Sequence, residues 1–162
     1  MAVATTLTLK NKDVVSLRWA EVRDAAAIVK LELESAKYEN RAEPITISPE
    51  EFTKIWEERL NGENYKTVLV CGANKLYGFL TFVNEIKLGQ VLALYIAPEY
   101  MRLGIGLNLM RVAEQMVILK GGKSIEVEVE TKNSGGLIFY ENLGLKRLGY
   151  VNDHLIKMKK EL

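Results

Sequence analysis

The sequence predicts an α+β domain built around a mixed, mostly antiparallel sheet. Three observations lead to this fold class. The predicted elements follow the order β-α-α-β-β-β-α-β-α-β-β, several neighbouring strands are joined by short turns, and no linker rich in Gly, Ser or Pro divides the chain. A chain of 162 residues with 48% hydrophobic content suits one domain. We therefore expect a single domain over residues 1–162, with about six to seven strands and four flanking helices. Residues 1–12 are expected to be a flexible or additional N-terminal segment.

A strand and two helices open the predicted order. Residues 14–20 form the strand, and Asp24 is the predicted N-cap of a helix over 25–37. The apolar residues that recur at helical spacing in this helix are Ala25, Val29, Leu33 and Ala36. The second helix is predicted to begin at Ser48-Pro49-Glu50-Glu51, a capping box with Pro in the first turn, and to end at Asn61-Gly62.

Three strands are predicted in the middle of the chain. Residues 66–71 and 76–86 are rich in β-branched and aromatic residues, and the segment Gly72-Ala73-Asn74-Lys75 between them is typical of a hairpin turn. A third strand, 91–96, follows the turn 87–89. Short connections of this kind favour antiparallel pairing.

The second half alternates helices and strands. A helix is predicted over 107–120 and ends at Gly121-Gly122, and a half-exposed strand follows over 124–130. A short helix runs from Asn133-Ser134 to Asn142. A hairpin closes the chain, with strands over 145–151 and 154–160.

Near the C-terminus, Lys157, Lys159 and Lys160 alternate with Met158, which we interpret as a lysine-protected edge strand.

Composition and charge exclude several classes of protein. Lys and Arg number 22 against 21 Asp and Glu, so no general attraction to nucleic acid or to anionic lipid is expected. Cys71 is the single cysteine and cannot form an intramolecular disulfide, so the sequence gives no sign of an oxidising compartment or of a cysteine-based metal site. No apolar stretch approaches the ~18 residues of a membrane span. We expect a cytoplasmic protein without nucleic-acid, membrane or metal partners.

The strand-to-helix junction over 96–107 is the candidate site for chemistry. Its Gly104-x-Gly106 turn would present unpaired backbone N–H groups at a helix N-terminus, where anions bind. The alternative is an ordinary connection with glycines for tight turning. A dinucleotide fingerprint is excluded because Leu109 replaces the third glycine. Likewise, Gly122-Lys123-Ser124 is not a P-loop, because the earlier glycine would fall at Val117.

Two longer motifs resemble the GNAT superfamily of N-acetyltransferases, which transfer an acetyl group from acetyl-CoA to an amine. The first is Tyr95-Ile96-Ala97-Pro98-Glu99-Tyr100 running into Gly104-Ile105-Gly106. The second spans Asn133 to Leu145, with Tyr140 seven residues after Asn133 and Gly144 four residues further on. The segment Leu17-Arg18-Trp19-Ala20, followed by Asp24 and Ile28, is similar to the first strand and helix of that family.

The resemblance implies that acetyl-CoA is the co-substrate. The backbone amides of 101–107 would hold its pyrophosphate, and the strand that ends at Ile96 would pair with its pantetheine arm. The residues assigned to acetyl-CoA are Leu94, Tyr95, Ile96, Met101, Arg102, Leu103, Gly104, Ile105, Gly106, Leu107, Asn133 and Tyr140. Two features depart from the family. Met101 stands where Gln or Arg is usual, and Gly135-Gly136 should weaken the first turn of its helix by roughly 1 kcal/mol per glycine.

The resemblance also implies catalytic roles. Tyr140 would be the general acid for the departing thiolate, and the backbone N–H of Ile96 would stabilise the oxyanion. Packing is the alternative role for Tyr140, and Asn133 would bind pantetheine, cap its helix or do both. The general base is left open. Gln90 stands where several family members have Glu, so Glu85, Glu34 or water are the candidates.

The sequence does not specify the acceptor amine or the protein partners. A primary amine of a small molecule, a protein N-terminus or a lysine would suit the resemblance, and a homodimer is compatible with the sequence. The acidic face of Glu126, Glu128 and Glu130 would attract a cationic amine or is simply solvated, and His154 is predicted to be structural. A non-catalytic acyl-CoA-binding sensor or scaffold, and a binding module for another nucleotide, are the alternative functions.

Overall fold

The computed structural model describes residues 5–162, which form eight strands and four α-helices. The strands are β1 Thr5–Thr8, β2 Val14–Trp19, β3 Lys66–Cys71, β4 Leu76–Asn84, β5 Leu88–Ile96, β6 Ser124–Glu130, β7 Lys146–Tyr150 and β8 Leu155–Glu161. The helices are α1 Ala25–Ala36, α2 Pro49–Asn61, α3 Ile105–Leu119 and α4 Ser134–Asn142. Short 3-10 turns, Val22–Asp24 and Pro98–Tyr100, precede α1 and α3.

The strands form one sheet in the order β1-β2-β3-β4-β5-β6-β8-β7. Only β5 and β6 run parallel, and the other neighbouring pairs are antiparallel. The predicted α+β class with four helices is therefore confirmed. The sheet has one strand more than the seven segments predicted as strands, because Thr5–Thr8 pairs with β2. Residues 1–4 of the predicted N-terminal segment lie outside the described residues.

The interpretation of the C-terminal lysines as an edge strand is wrong. The closing hairpin places β8 between β6 and β7, so the sheet ends at β1 and β7. Lysines of β8 instead face the acidic residues of β6, since Glu126 pairs in register with Lys159 and Glu128 with Lys157. Opposite charges directly across a ladder stabilise the pairing.

Helix boundaries follow local capping with two differences. Ser48 caps α2 as predicted, because its Oγ accepts a 3.2 Å hydrogen bond from the Glu51 backbone N–H. Asp24 makes no side-chain cap on α1. Its carboxylate instead accepts two 2.8 Å hydrogen bonds from the Arg18 guanidinium. Helix α3 begins at Ile105, two residues earlier than predicted, directly after Gly104 with φ of 93°.

Helices cover both faces of the sheet. On the first face, α1 and α2 pack with buried residues that include Ile28, Trp56 and Phe79. On the second face, α3 and α4 pack with a larger cluster that includes Leu109 and Tyr140. Side chains alternate along β5, so that Tyr95 contacts the α1–α2 cluster whereas its neighbours contact the α3–α4 cluster. Within residues 5–162, no helix is both long and apolar enough to cross a membrane.

Candidate active site

The sheet opens between its two parallel strands. Pairing of β5 with β6 covers only Leu88–Val91 against Ser124–Val127, after which β5 stays with β4 and β6 stays with β8. The opening coincides with a bulge, because Thr81 pairs with Ala93 and Phe82 pairs with Val91, which leaves Leu92 as the extra residue of β5. Bulges bend the strand that carries them and are frequent next to active sites. We call this opening the β5–β6 gap.

A cavity of about 490 Å³ occupies the β5–β6 gap and is lined from both faces of the sheet. From the α1–α2 side come residues such as Glu32 and Trp56, and from the α4 side come Asn133 and Tyr140. Of the residues that the resemblance assigns to acetyl-CoA, the lining includes Leu94, Tyr95, Asn133 and Tyr140. A ligand bound on one face of the sheet can therefore contact a ligand bound on the other face through the β5–β6 gap.

The end of β5 directs two backbone amides towards the gap. The Ala97 N–H donates a 2.8 Å hydrogen bond to the Tyr77 carbonyl while Ile96 lies opposite Gly78. In an antiparallel ladder this arrangement makes Ile96 a non-hydrogen-bonded residue, so its N–H points away from β4. Hydrogen-bonded and non-hydrogen-bonded residues alternate along an antiparallel ladder, so the N–H of Leu94, two residues before Ile96, also points away from β4. Both amides are thus available to a molecule that lies in the gap.

Tyr140 projects from α4 into the cavity. Its side chain is buried, and within the described part of the chain its hydroxyl has no protein hydrogen-bond partner. Burial, with a smaller contribution from the nearby charge of Glu39, raises the pKa of Tyr140 above its ordinary value. The hydroxyl consequently stays protonated at neutral pH and can donate a proton or a hydrogen bond.

Asn133 caps α4 and also lines the cavity. Its Oδ1 accepts a 3.0 Å hydrogen bond from the Gly136 backbone N–H, which leaves Nδ2 to donate elsewhere. A Cβ at position 136 would lie 2.6 Å from Asn133 Nδ2, whereas a Cβ at Gly135 would meet nothing within 4 Å. Gly136 therefore makes room for the cap, and the structure offers no such reason for Gly135.

The predicted anion site lies at the N-terminus of α3. Gly104 adopts φ of 93° as the N-cap, and the Asn108 N–H donates to the Gly104 carbonyl at 3.2 Å as the first helical hydrogen bond. The N–H groups of Ile105, Gly106 and Leu107 consequently have no acceptor inside the helix. Arg102 precedes them, is exposed, and forms no ion pair with any residue of the 5–162 range.

Gly106 has a packing reason of its own. A Cβ at this position would lie 3.0 Å from the Phe139 ring of α4. The glycine lets the N-terminus of α3 approach α4 closely, which is a packing role in addition to the expected anion site. The two roles are compatible, because close packing concerns the Cα and anion binding concerns the N–H.

Neither sequence-predicted carboxylate base reaches the β5–β6 cavity. Glu34 is exposed and lines a separate, smaller cavity of about 370 Å³ between α1 and α2. Glu85 is exposed in the turn after β4, and its backbone N–H donates to the Leu88 carbonyl. Gln90 lies in the paired part of β5, before the gap opens.

Glu32 is one of the cavity residues that the sequence motifs did not indicate. Its side chain is 8% exposed, and its Oε2 accepts a 3.0 Å hydrogen bond from Trp56 Nε1. Burial raises the pKa of Glu32 to about 6. A signal was present in the sequence, since Glu32 follows Ile28 by four residues and so falls within the apolar stripe of α1.

A second polar group in the cavity joins Glu39, Arg41 and Tyr95. Arg41 Nη1 donates to the Tyr95 hydroxyl at 3.4 Å and lies 3.8 Å from Glu39 Oε2. Burial raises the pKa of Glu39 and of Tyr95. Tyr95 therefore contributes its side chain to this network as well as its backbone to β5.

The acidic face of β6 divides into residues with different surroundings. Glu128 and Glu130 line the cavity, whereas Glu126 lies outside it and forms an ion pair with Lys157, with 3.7 Å between Glu126 Oε2 and Lys157 Nζ. Glu130 Oε2 lies 3.2 Å from His154 Nδ1. The structure thus brings His154 next to a cavity residue. Residues 5–162 contain no group of three or more His, Cys, Asp or Glu side chains that could hold a metal ion.

Comparison with known proteins assigns the chain to a class of enzyme. The model of the acetyltransferase (GNAT) family matches residues 30–145, and the chain belongs to this family. It is 27% identical over 146 residues to spermidine N(1)-acetyltransferase of Thermoplasma acidophilum, across 82% of this chain and 88% of that protein.

Solved structures share the fold at lower identity. The PaiA N-acetyltransferase of T. acidophilum in complex with coenzyme A matches with a TM-score of 0.74 and 22% identity, over 91% of this chain and 99% of that one. The GNAT domain of S. lividans PAT matches with a TM-score of 0.82 and 13% identity, over 98% and 97%.

Proposed function

We propose that the protein is an acetyl-CoA-dependent N-acetyltransferase in which a primary amine attacks the thioester directly in a ternary complex. This proposal rests on the β5–β6 gap. The backbone N–H groups of Leu94 and Ile96, which point away from β4, border the same opening in the sheet as the Tyr140 hydroxyl, which has no hydrogen-bond partner within residues 5–162. Membership of the acetyltransferase family and the coenzyme A in a structure of the same fold support it.

The residues present fit acetyl-CoA, which supplies the acetyl thioester. The free N–H groups of Ile105, Gly106 and Leu107, with Arg102 beside them, suit the pyrophosphate. The amides of Leu94 and Ile96 suit the peptide-like pantetheine, which can pair with β5 as an added strand would. Asn133 Nδ2 is a further donor to this arm.

Two groups suit the chemical step. The Ile96 N–H would donate to the oxygen that becomes negatively charged when the amine attacks, and Tyr140 would give its proton to the departing thiolate. The raised pKa of Tyr140 keeps the hydroxyl protonated at neutral pH, so that its proton is present when the thiolate departs.

A cationic amine is the acceptor class that the cavity favours. Carboxylates outnumber guanidinium groups in its lining, with Glu32, Glu39, Glu128 and Glu130 against Arg41 and Arg59. Spermidine is the first acceptor to test, since it is named for the relative described above, followed by peptides with free N-termini or lysines. A cytoplasmic location and a homodimer stay predictions.

The test follows the release of free thiol from acetyl-CoA with a panel of polyamines, small amines and peptides. We expect Y140F to lower kcat about 100-fold or more while the Kd for coenzyme A changes less than about twofold. Y150F, at an exposed tyrosine of β7, is the matched control and should leave both unchanged. Unchanged turnover in Y140F would show that Tyr140 is not the acid. Tight coenzyme A binding without product across the whole panel would favour the sensor or scaffold instead.

A further inference from the structure

Glu32 lies beside the end of β5 on the side opposite Tyr140. It is one helical turn before Ser35, whose Oγ donates a 3.4 Å hydrogen bond to the Ile96 carbonyl. The two side chains approach the same cavity from different faces of the sheet, Glu32 from α1 and Tyr140 from α4. A carboxylate and a phenol hydroxyl therefore face the β5–β6 gap from opposite sides.

Among the carboxylates of this cavity, Glu32 has distinct surroundings. Glu39 lies near Arg41, and Glu130 contacts His154. Glu128 is exposed. Glu32 is buried, and its hydrogen-bond donor is the uncharged indole of Trp56.

The second oxygen of Glu32 is open to the cavity. Oε1 has no hydrogen-bond partner within residues 5–162. It is not among the fully buried polar atoms of these residues that lack a partner, so it keeps some accessible surface. The carboxylate is thus held through one oxygen and offers the other to a ligand.

We propose that Glu32 accepts a proton from the ammonium group of the acceptor, directly or through one water, before the amine attacks the thioester. This inference rests on the acetyltransferase function proposed above. The ammonium carries three protons and the product amide keeps one. One proton passes to Glu32 and then to solvent, and the other passes from the attacking nitrogen to solvent as the C–N bond forms and the C–S bond breaks. Tyr140 protonates the thiolate and regains a proton from solvent, so one proton is released per turnover.

The charged surroundings of Glu32 suit this role. The groups that face it are Arg59 of α2, Arg41 and Glu39 of the segment after α1, and Tyr95 of β5. Burial outweighs the two guanidinium groups and the indole hydrogen bond, and it raises the pKa of Glu32 to about 6. The group is mostly ionised at pH 7 to 8, yet it is a stronger base than an exposed glutamate.

The pH dependence of kcat/KM tests the inference in the wild-type protein and in E32Q. Wild type should show an acidic limb with a midpoint near pH 6, below which activity falls because Glu32 is protonated. E32Q should lose about 100-fold or more at pH 7 and should lack this limb. E34Q, on the outer face of the same helix, is the matched control and should retain the wild-type profile. H154N, which removes the single histidine, should retain the acidic limb.

Two further measurements separate a base from a structural residue. With an acceptor whose amine is already neutral at pH 7, the defect of E32Q should shrink to less than about tenfold, and E32D should recover part of the activity at all pH values. In protein labelled with ¹³C at the glutamate carboxyl groups, one resonance should titrate near pH 6 and be missing from E32Q.

The results that would overturn the inference differ from those that would overturn the function. A wild-type protein that acetylates no amine contradicts the proposed function, and the inference falls with it. An active wild type with an E32Q variant of equal activity contradicts the inference alone. An E32Q defect of the same size with neutral and cationic amines also contradicts it, since a structural role would produce that pattern.

Discussion

Trp56 Nε1 of α2 donates a 3.0 Å hydrogen bond to Glu32 Oε2 of α1, and the same indole lies edge-on against Phe79 of β4 with ring centroids 5.5 Å apart. The carboxylate is therefore positioned by a side chain that is itself fixed on the sheet. An indole N–H is neutral, so it orients the carboxylate without supplying a compensating charge.

Replacing Trp56 with Phe tests this relationship. The hydrogen bond lowers the pKa of Glu32, so W56F should move the acidic limb of kcat/KM to a pH above that of wild type. Loss of the hydrogen bond and of buried indole volume should also reduce the free energy of unfolding by about 2–4 kcal/mol. Urea unfolding and a pH–rate profile measure the two effects. T53A, on the same helix, should keep the wild-type limb, and a limb that moves to lower pH in W56F would contradict the assignment.

Glu32 should cost the protein stability at neutral pH. Its pKa rises from an ordinary value of 4.5 to about 6 on folding, so the folded state holds the proton more tightly than the unfolded state. The resulting stabilisation is complete below the unfolded pKa and is lost as the pH rises through about 6. E32Q should match wild type near pH 4 and exceed it by up to about 2 kcal/mol at pH 8. Denaturant unfolding between pH 4 and 8 measures this difference, and an E32Q protein that is less stable than wild type at pH 8 would refute it.

Gly135 and Gly136 should respond differently to alanine. At Gly135 the added Cβ meets open space, so G135A should stabilise α4 by up to about 1 kcal/mol. At Gly136 the Cβ would displace the Asn133 side chain and remove its capping hydrogen bond, which costs about 1 kcal/mol. Thermal unfolding should therefore rank G135A above G136A. G136A should also weaken coenzyme A binding through Asn133, and equal melting temperatures would show that the cap does not depend on this glycine.

Arg102 should contribute to coenzyme A binding through charge. R102A should raise the Kd for coenzyme A about 3- to 10-fold at low salt, and the effect should shrink in ~0.5 M salt, because exposed charges are screened. Isothermal titration calorimetry measures both. K120A removes an exposed lysine at the opposite end of α3 and is the control for a general change in net charge. An R102A protein with the wild-type Kd at low salt would assign pyrophosphate binding to the backbone amides alone.

Local chemistry explains which parts of the fold were predictable. The Ser48 cap, the 72–75 turn between β3 and β4 and the glycine that ends α3 all depend on residues close together in the chain. The position of β8 depends on its pairing with β6, which no local pattern of Lys157 and its neighbours specifies. Strand β1 was missed for the same reason, because a run of only four residues, three Thr and one Leu, is a strand only through its pairing with β2.

In the candidate site, too, local pattern predicts some features and long-range packing decides others, here for single side chains. Glu34 and Glu32 are two residues apart, which places them about 200° apart around α1, on opposite faces. Glu34 lines the separate cavity between α1 and α2, whereas Glu32 accepts a hydrogen bond from Trp56 and lines the β5–β6 cavity. The helical pattern identified the helix, but the packing of α2 decided which carboxylate is buried.

By itself, the sequence determined the fold class, the helices and most strands, and the two motifs that resemble the GNAT family, because these depend on short-range periodicity, capping and residue type. Only the tertiary structure decided that the sheet opens after Val91, that Tyr140 and Glu32 face the opening from opposite sides, and that β8 lies inside the sheet. The physical reason is that strand pairing and burial arise from contacts between residues far apart in the chain.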